Sequence, residues 1–190
     1  TTAEGGAISS IHPDLLLKAK RFSRQGLVRN ENEFLVKDQG PWHQEVHEFG
    51  LNYRLPDILC ALGINQLERL QDFKVKKRAI FESYVRELSG IEVIELPIEH
   101  SDMNVNWHLF PARFDPIKRQ AIFSGLRKAG IGVQVNYIPA YWHPVFQDLG
   151  YRIGQYPNSD VFYATEISLP MSFALSEEQM HKVVDVAKSI

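Results

Sequence analysis

The apolar positions of this 190-residue chain change period along its length, and each change marks an element. Gly5-Gly6-Ala7-Ile8-Ser9-Ser10 reads as a turn feeding a short strand. Pro13 suits the first turn of a helix, where its missing N–H costs nothing. Leu15, Ala19 and Phe22 follow on one face until Gly26 stops the helix. Residues 29–48 have no period and are broken by Gly40-Pro41, so they are expected to form a long loop, functional or disordered. In "GLNYRLPDILCALGINQLERL", residues 50–70, Pro56 marks a helix start and Leu59, Leu62, Leu67 and Leu70 form a helical stripe. Gly63 costs that helix about 1 kcal/mol relative to Ala, so a close neighbour is expected there. A further helix is predicted over 73–88, with Ile80, Phe81, Tyr84 and Leu88 on one side and Gly90 as its stop.

Beyond Gly90 the period shortens. Strands are predicted over 91–97, 107–114 and 131–137. Asp115-Pro116 is expected to cap a helix ending at Lys128-Ala129-Gly130, and residues 156–165 to form a short helix before a strand at 167–169. Ser176 and Gln179 form a capping box for a last helix carrying Met180, Val183, Val184 and Ala187. Residues 73–190 therefore read as an α/β unit with its own core, and residues 1–72 as the tail of another domain.

Composition narrows the function classes. Apolar residues make up 44% and charged residues 23%, the balance of a globular chain. The net charge of −2 lacks the basic surplus of a nucleic-acid binder. No apolar run is long enough to span a bilayer. The one cysteine, Cys60, excludes an internal disulfide and fits a reducing cytoplasm; its apolar helical neighbours predict a buried, inert thiol. His43 and His47 are four apart, but Gln44 stands where a zincin has Glu, so no metal site is assigned. "KVKKR", residues 74–78, reads as the solvated face of a helix. No methionine precedes Thr1, so the numbering is expected to begin inside an open reading frame.

Four stretches carry a resemblance: "TTAEGG", "GLNYRLPDILCALGINQLERL", "GIGVQVNYIPAYWHPVF" and "ISLP". In order and spacing the chain resembles, over nearly its whole length, the DegT/StrS family of sugar-nucleotide aminotransferases. Within it, the pattern is nearest to the branch that makes the 4-amino sugar precursor of pseudaminic acid. The resemblance implies an α/β fold: the C-terminal part of a pyridoxal-phosphate-dependent transferase of fold type I, aspartate aminotransferase-like. Residues 1–72 would be the tail of the large domain, with a long loop and a dimer-interface helix, and 73–190 the small α/β domain. The implied reaction moves an amino group from L-glutamate to the 4-keto carbon of a UDP-linked deoxy sugar, in a cytoplasmic homodimer with shared active sites.

The same resemblance implies roles residue by residue. The lysine that forms the Schiff base with pyridoxal phosphate would lie just upstream of Thr1, so no catalytic residue is assigned here and the chain alone is expected to be inactive. Asn52 matches an asparagine that reaches the cofactor phosphate of the neighbouring subunit, and Arg54 an arginine near the nucleotide-sugar phosphates. Asn136 and Tyr137 match a His-Tyr pair lining the sugar-nucleotide site. Asn in place of His keeps a hydrogen bond but cannot carry a proton. In "FSRQG", Ser23 and Gln25 stand where many relatives have Arg and His, and whether Arg24 compensates is left open. By residue type alone, Asn52 and Arg54 are ordinary turn and helix-entry residues and Tyr137 a core strand residue. Two further functions stay open: a pyridoxamine-phosphate-dependent sugar dehydratase, in which histidine replaces the lysine, and a noncatalytic binding or oligomerisation module.

Overall fold

The computed structural model describes residues 1–91 and 93–189, and the side chains of residues 93 and 94 lie outside that description. The chain forms two compact units, Thr1–Arg69 and the remainder from Leu70 onward.

The first unit is built on short elements. Helix α1, Pro13–Phe22, opens with Pro13 and Asp14 and closes with Lys20 and Arg21, which complement the helix dipole at both ends. Strands β1, Leu27–Val28, and β2, Glu45–Val46, pair antiparallel, Leu27 opposite Val46 and Val28 opposite Glu45. Residues 29–48 are therefore more ordered than the expected loop. A 3₁₀ turn, Glu31–Glu33, follows β1 and is capped by Asn30, whose side chain accepts from the Asn32 N–H. The Glu45 carboxylate accepts the N–H groups of Leu35 at 2.8 Å and Val36 at 2.7 Å. A two-residue ladder leaves no alternation for a sequence to display. The expected strand after Gly6 is absent, since residues 5–10 have no ladder partner.

Helix α2, Asp57–Glu68, starts after Pro56 as predicted. None of its described residues is buried, and Cys60 is exposed rather than packed. Its stripe includes Leu62 and Leu67, but a stripe predicts burial only where something covers it. The close neighbour of Gly63 is Thr2, whose Cγ2 would lie 3.0 Å from an added Cβ. Among the described apolar residues of this unit, Val28 and Phe34 are the buried ones.

The second unit holds the main core. Helix α3, Leu70–Leu88, begins before the expected residue 73. Strands β3, Val93–Glu95, β4, Phe110–Phe114, and β5, Glu166–Leu169, form an antiparallel sheet in the order β3-β4-β5, with Phe110 opposite Leu169 and Arg113 opposite Glu166. On β4 the period-2 pattern buries Phe110, Ala112 and Phe114. Helix α4, Arg119–Lys128, starts later than Asp115-Pro116 because residues 115–118 form a turn. There the Asp115 side chain accepts from the Ile117 N–H at 2.7 Å. A 3₁₀ turn, Ala140–Trp142, and a short helix α5, Pro144–Asp148, lead to helix α6, Pro157–Thr165. Helix α7, Glu177–Ser189, carries the capping box: Gln179 N–H donates to Ser176 Oγ at 3.2 Å, and Ser176 N–H to Gln179 Oε1 at 3.0 Å.

Tyr84 and Leu88 of α3, Leu126 of α4 and Val183 and Val184 of α7 share one core with Phe110 and Ile167 of the sheet. Each such side chain contributes about 1.5–3 kcal/mol of burial. Residues 131–137 are no strand. A single antiparallel bridge joins Gln134 to Ser168, after which the chain turns away.

Candidate functional site

The first pair of candidate residues is held by backbone. At the end of α1 the chain reverses through Gln25, φ 64°, and Gly26, φ 73°. The reversal exposes main-chain groups that residues 51–53 satisfy. Leu51 N–H donates to Phe22 O at 2.7 Å, Gln25 N–H to Leu51 O at 3.1 Å, and Tyr53 N–H to Ser23 O at 2.9 Å. Asn52 thus lies opposite Arg24 in an isolated antiparallel bridge. The approach is too close for side chains. A Cβ on Gly26 would sit 1.7 Å from Glu48 O, and one on Gly50 2.5 Å from Phe22 O.

Residues two apart in an extended segment face the same side, and this brings Asn52 and Arg54 together. Arg54 Nε donates to Asn52 Oδ1 at 2.8 Å. The bond occupies the amide oxygen, so the exposed NH₂ end of Asn52 is left as a donor.

Arg54 also lines a cleft of about 310 Å³ with Lys20, Arg21, Arg24, Arg29 and the acid Glu33. Arg21 is paired with Glu33. Arg24, Arg29 and Arg54 have no acidic partner among the described residues, so the cleft presents guanidinium groups to an anion. Arg24 therefore lies beside Arg54 despite the Ser23 and Gln25 replacements. Sequence reasoning missed Arg21 and Arg29. The signal available was a run of basic residues through the end of α1, which has no period of its own.

Asn136 and Tyr137 lie in the second unit and are also held through the main chain. Asn136 N–H donates to Glu166 Oε2 at 2.8 Å, and Ser168 Oγ donates to the other carboxylate oxygen. Glu166 is fully buried, and burial pushes its carboxyl above the usual range. The bonds from Ser168 and Asn136 and the charge of Arg119 oppose that shift. This buried carboxylate takes an N–H that a ladder would otherwise use, which is why the predicted strand stops. The Asn136–Tyr137 peptide is cis. Tyr137 is 72% exposed, so it is not the core residue its type predicts. It borders a cleft of about 350 Å³ with Pro139, Asn158, Ser159 and Phe162. The structure thus brings the candidates together as two pairs, one within each unit.

Glu45 organises a third cluster. His47 Nε2 lies 2.5 Å and His43 Nε2 3.2 Å from its carboxylate oxygens. The His47 contact, then the Leu35 and Val36 N–H groups and His43, holds the Glu45 carboxyl well below the usual range. Among the described residues no group of three His, Cys, Asp or Glu side chains is placed to hold a metal ion. No described helix is long and apolar enough to cross a membrane.

The DegT/DnrJ/EryC1/StrS aminotransferase family matches residues 1–188. The UDP-4-amino-4,6-dideoxy-N-acetyl-beta-L-altrosamine transaminase of Campylobacter jejuni is 32% identical over 193 residues, covering 100% of this chain and 49% of that protein. PseC of Helicobacter pylori, an aminotransferase involved in the biosynthesis of pseudoaminic acid, superposes with a TM-score of 0.84 at 29% identity, covering 98% of this chain and 48% of its own. A Streptococcus pneumoniae protein solved in a PMP form superposes at 0.86 with 25% identity, covering 100% and 49%. The chain spans about half the length of the curated relatives it matches. It belongs to the DegT/DnrJ/EryC1/StrS aminotransferase family and has the mixed α/β fold of part of a sugar aminotransferase.

Proposed function

We propose that these 190 residues are the C-terminal portion of a pyridoxal-phosphate-dependent aminotransferase. In the intact protein an amino group would pass from L-glutamate to the 4-keto carbon of a UDP-linked deoxy sugar, in bacterial amino-sugar synthesis of the pseudaminic acid kind. The observation that carries this reading is the Asn52–Arg54 bond beside a cleft of unpaired guanidinium groups. A nucleotide sugar and a cofactor phosphate are both anionic, and this edge supplies an oriented neutral donor and several cations.

The residues present fit the cofactor. Asn52, with its amide oxygen occupied, offers an NH₂ to a phosphate, and the backbone pairing of residues 51–53 fixes where that donor points. Pyridoxal phosphate, when bound, supplies the electron sink for amino transfer. Arg54, Arg24 and Arg29 would bind and orient the phosphates of the nucleotide. Asn136 and Tyr137 would face the sugar end, where the Asn136 amide hydrogen-bonds without moving a proton.

A cytoplasmic homodimer is part of the proposal. In it Asn52 serves the partner's cofactor. The exposed apolar residues of α2, Ile58, Ile64 and Leu67, support an interface on that helix. The amine that carries the transfer is assigned to no lysine of residues 1–190. Glutamate-dependent transamination by the pure 190-residue chain would therefore overturn this division of labour. The direct test is Asn52→Ala in the intact protein. One lost charge-assisted bond should weaken cofactor retention by about 1–2 kcal/mol, roughly 5- to 30-fold, read from cofactor absorbance during dialysis. Unchanged retention refutes the role of Asn52.

A further inference from the structure

We propose that Glu33 is a built-in counter-ion of the cationic cleft: its carboxylate fills an anion grip made by Arg21 and Asn30, and an anionic ligand gains that grip by displacing it. The proposal rests on the reading above that the cleft receives the phosphates of a nucleotide. It adds Arg21 and Asn30 as receiving groups and gives Glu33 a role opposed to binding.

The pattern of bonds is the first argument. Arg21 donates to one Glu33 oxygen, and the Asn30 NH₂ donates to the other at 3.0 Å. All three residues line the same cleft as Arg24, Arg29 and Arg54. A guanidinium and an amide converging on two oxygens of one anion form a donor set that a phosphate accepts equally well. Asn30 is oriented for this contact. Its Oδ1 accepts the Asn32 N–H at 3.2 Å, which leaves the NH₂ end to face Glu33.

Independence from the fold is the second argument. The 3₁₀ turn stands on main-chain bonds, Glu33 N–H to Asn30 O at 2.9 Å and Phe34 N–H to Glu31 O at 3.3 Å, and on the buried Phe34 ring against His43. None of these uses the Glu33 carboxylate, so it can leave Arg21 while the turn stays. The paired side chains are 20% exposed for Arg21 and 37% for Glu33. Water and salt reach such a pair, and separating it costs little.

Charge decides what displaces it. Among the described residues that line the cleft, Glu33 is the one acid, set against Lys20, Arg21, Arg24, Arg29 and Arg54. A singly charged carboxylate from solution exchanges like for like, and it competes with a resident group held at high effective concentration. A diphosphate brings more charge and more acceptor oxygens, so it engages Arg24, Arg29 and Arg54 as well as the grip. Glu33 thus keeps weak anions out of the cleft and admits a polyanion at reduced affinity.

The test is isothermal titration of UDP into the intact natural protein. Wild type is compared with Glu33→Gln, Glu31→Gln, Arg21→Gln and the double variant of Arg21→Gln with Glu33→Gln, and circular dichroism checks that each folds. Glu31 sits on the same turn outside the cleft lining, so its variant reads the general effect of removing one nearby negative charge. Glu33→Gln is expected to tighten UDP about three- to tenfold, Glu31→Gln to leave it within about twofold, and Arg21→Gln to weaken it about three- to tenfold. In the double variant the gain from Glu33→Gln should largely disappear. Glu33→Ala takes the place of Glu33→Gln if the latter does not fold. The sign of the effect decides, because a carboxylate that only braced Arg21 would weaken UDP binding when removed. Weaker or unchanged binding by Glu33→Gln, or a gain matched by Glu31→Gln, overturns the proposal, and UDP binding by wild type then leaves the nucleotide reading intact. Wild type and Glu33→Gln both failing to bind UDP would overturn both.

Discussion

Replacing Gly26 by Ala tests the contact that sets the position of Asn52. Two costs combine. At φ 73° any L side chain pays about 1–2 kcal/mol. The added Cβ would also sit 1.7 Å from Glu48 O, about half a normal contact distance, so backbone must separate. The bonds at risk are His47 N–H to Gly26 O, 3.2 Å, and Leu51 N–H to Phe22 O, 2.7 Å, each worth about 0.5–1.5 kcal/mol. The total is about 2–5 kcal/mol. Gly130 provides the control: its φ is 80° and nothing lies within 4 Å of its would-be Cβ, so Gly130→Ala should show the backbone cost alone. The assay is urea unfolding of both variants with amide hydrogen exchange at His47 and Leu51. Gly26→Ala should accelerate exchange at both amides and cost more than Gly130→Ala. Equal costs, with exchange unchanged, would refute the close backbone approach and with it the account of how Asn52 is placed.

Acid should release the loop after β3. Arg78 makes a two-pronged pair with Glu99, 2.7 Å on each arm, and Glu99 also accepts the Val105 N–H. The Arg78 guanidinium holds the Glu99 carboxyl down at about 2, below its ordinary 4.5. A carboxylate lowered on folding stabilises the folded form above pH 4.5 and loses that contribution as pH falls toward about 2. Glu99→Gln should therefore melt below wild type at neutral pH and converge with it in acid, followed by thermal unfolding; parallel curves would refute the pairing. Asp160→Ala should cost about 2–4 kcal/mol in urea unfolding, because it strands the Tyr141 hydroxyl and the Trp142 indole N–H, while Asp160→Asn should recover most of the loss. A loss under about 0.5 kcal/mol would show that Asp160 does not tie the Ala140–Trp142 turn to α6.

Legibility in the sequence followed the range of the interaction. The capping box at Ser176 and Gln179 was readable because its partners are three residues apart, and the stripe of α3 because helical period is local. Residues 131–137 were not readable as irregular. Their fate depends on Glu166, thirty residues beyond Asn136, buried and bonded to its N–H. Cys60 failed for a related reason: apolar neighbours along a helix say nothing about what packs on it, and α2 has no buried residue. In the site, the Asn52–Arg54 pairing follows from strand alternation. The cationic cleft does not, because its residues come from a helix end, a turn and a separate extended segment.

The departure at position 136 becomes intelligible on the same grounds. Both candidate pairs are positioned by main-chain bonds; Asn52, Arg54 and Tyr137 are exposed and Asn136 is half-buried. Asn52 is placed by residues 22–25, and Asn136 by the carboxylate of Glu166. Where backbone does the positioning, the side chain can change without moving the site. Asn at 136, where the resemblance expects His, would keep a hydrogen bond without proton transfer, with Tyr137 still at the same cleft. Glu166 is the opposite case. It is fully buried, and its loss would strand the Asn136 N–H and the Ser168 hydroxyl at once and free the segment that carries Tyr137. The tolerance of each position is set by which part of the residue is bonded, and the proposed recognition residues Asn52, Arg54 and Tyr137 present side chains that the core does not use.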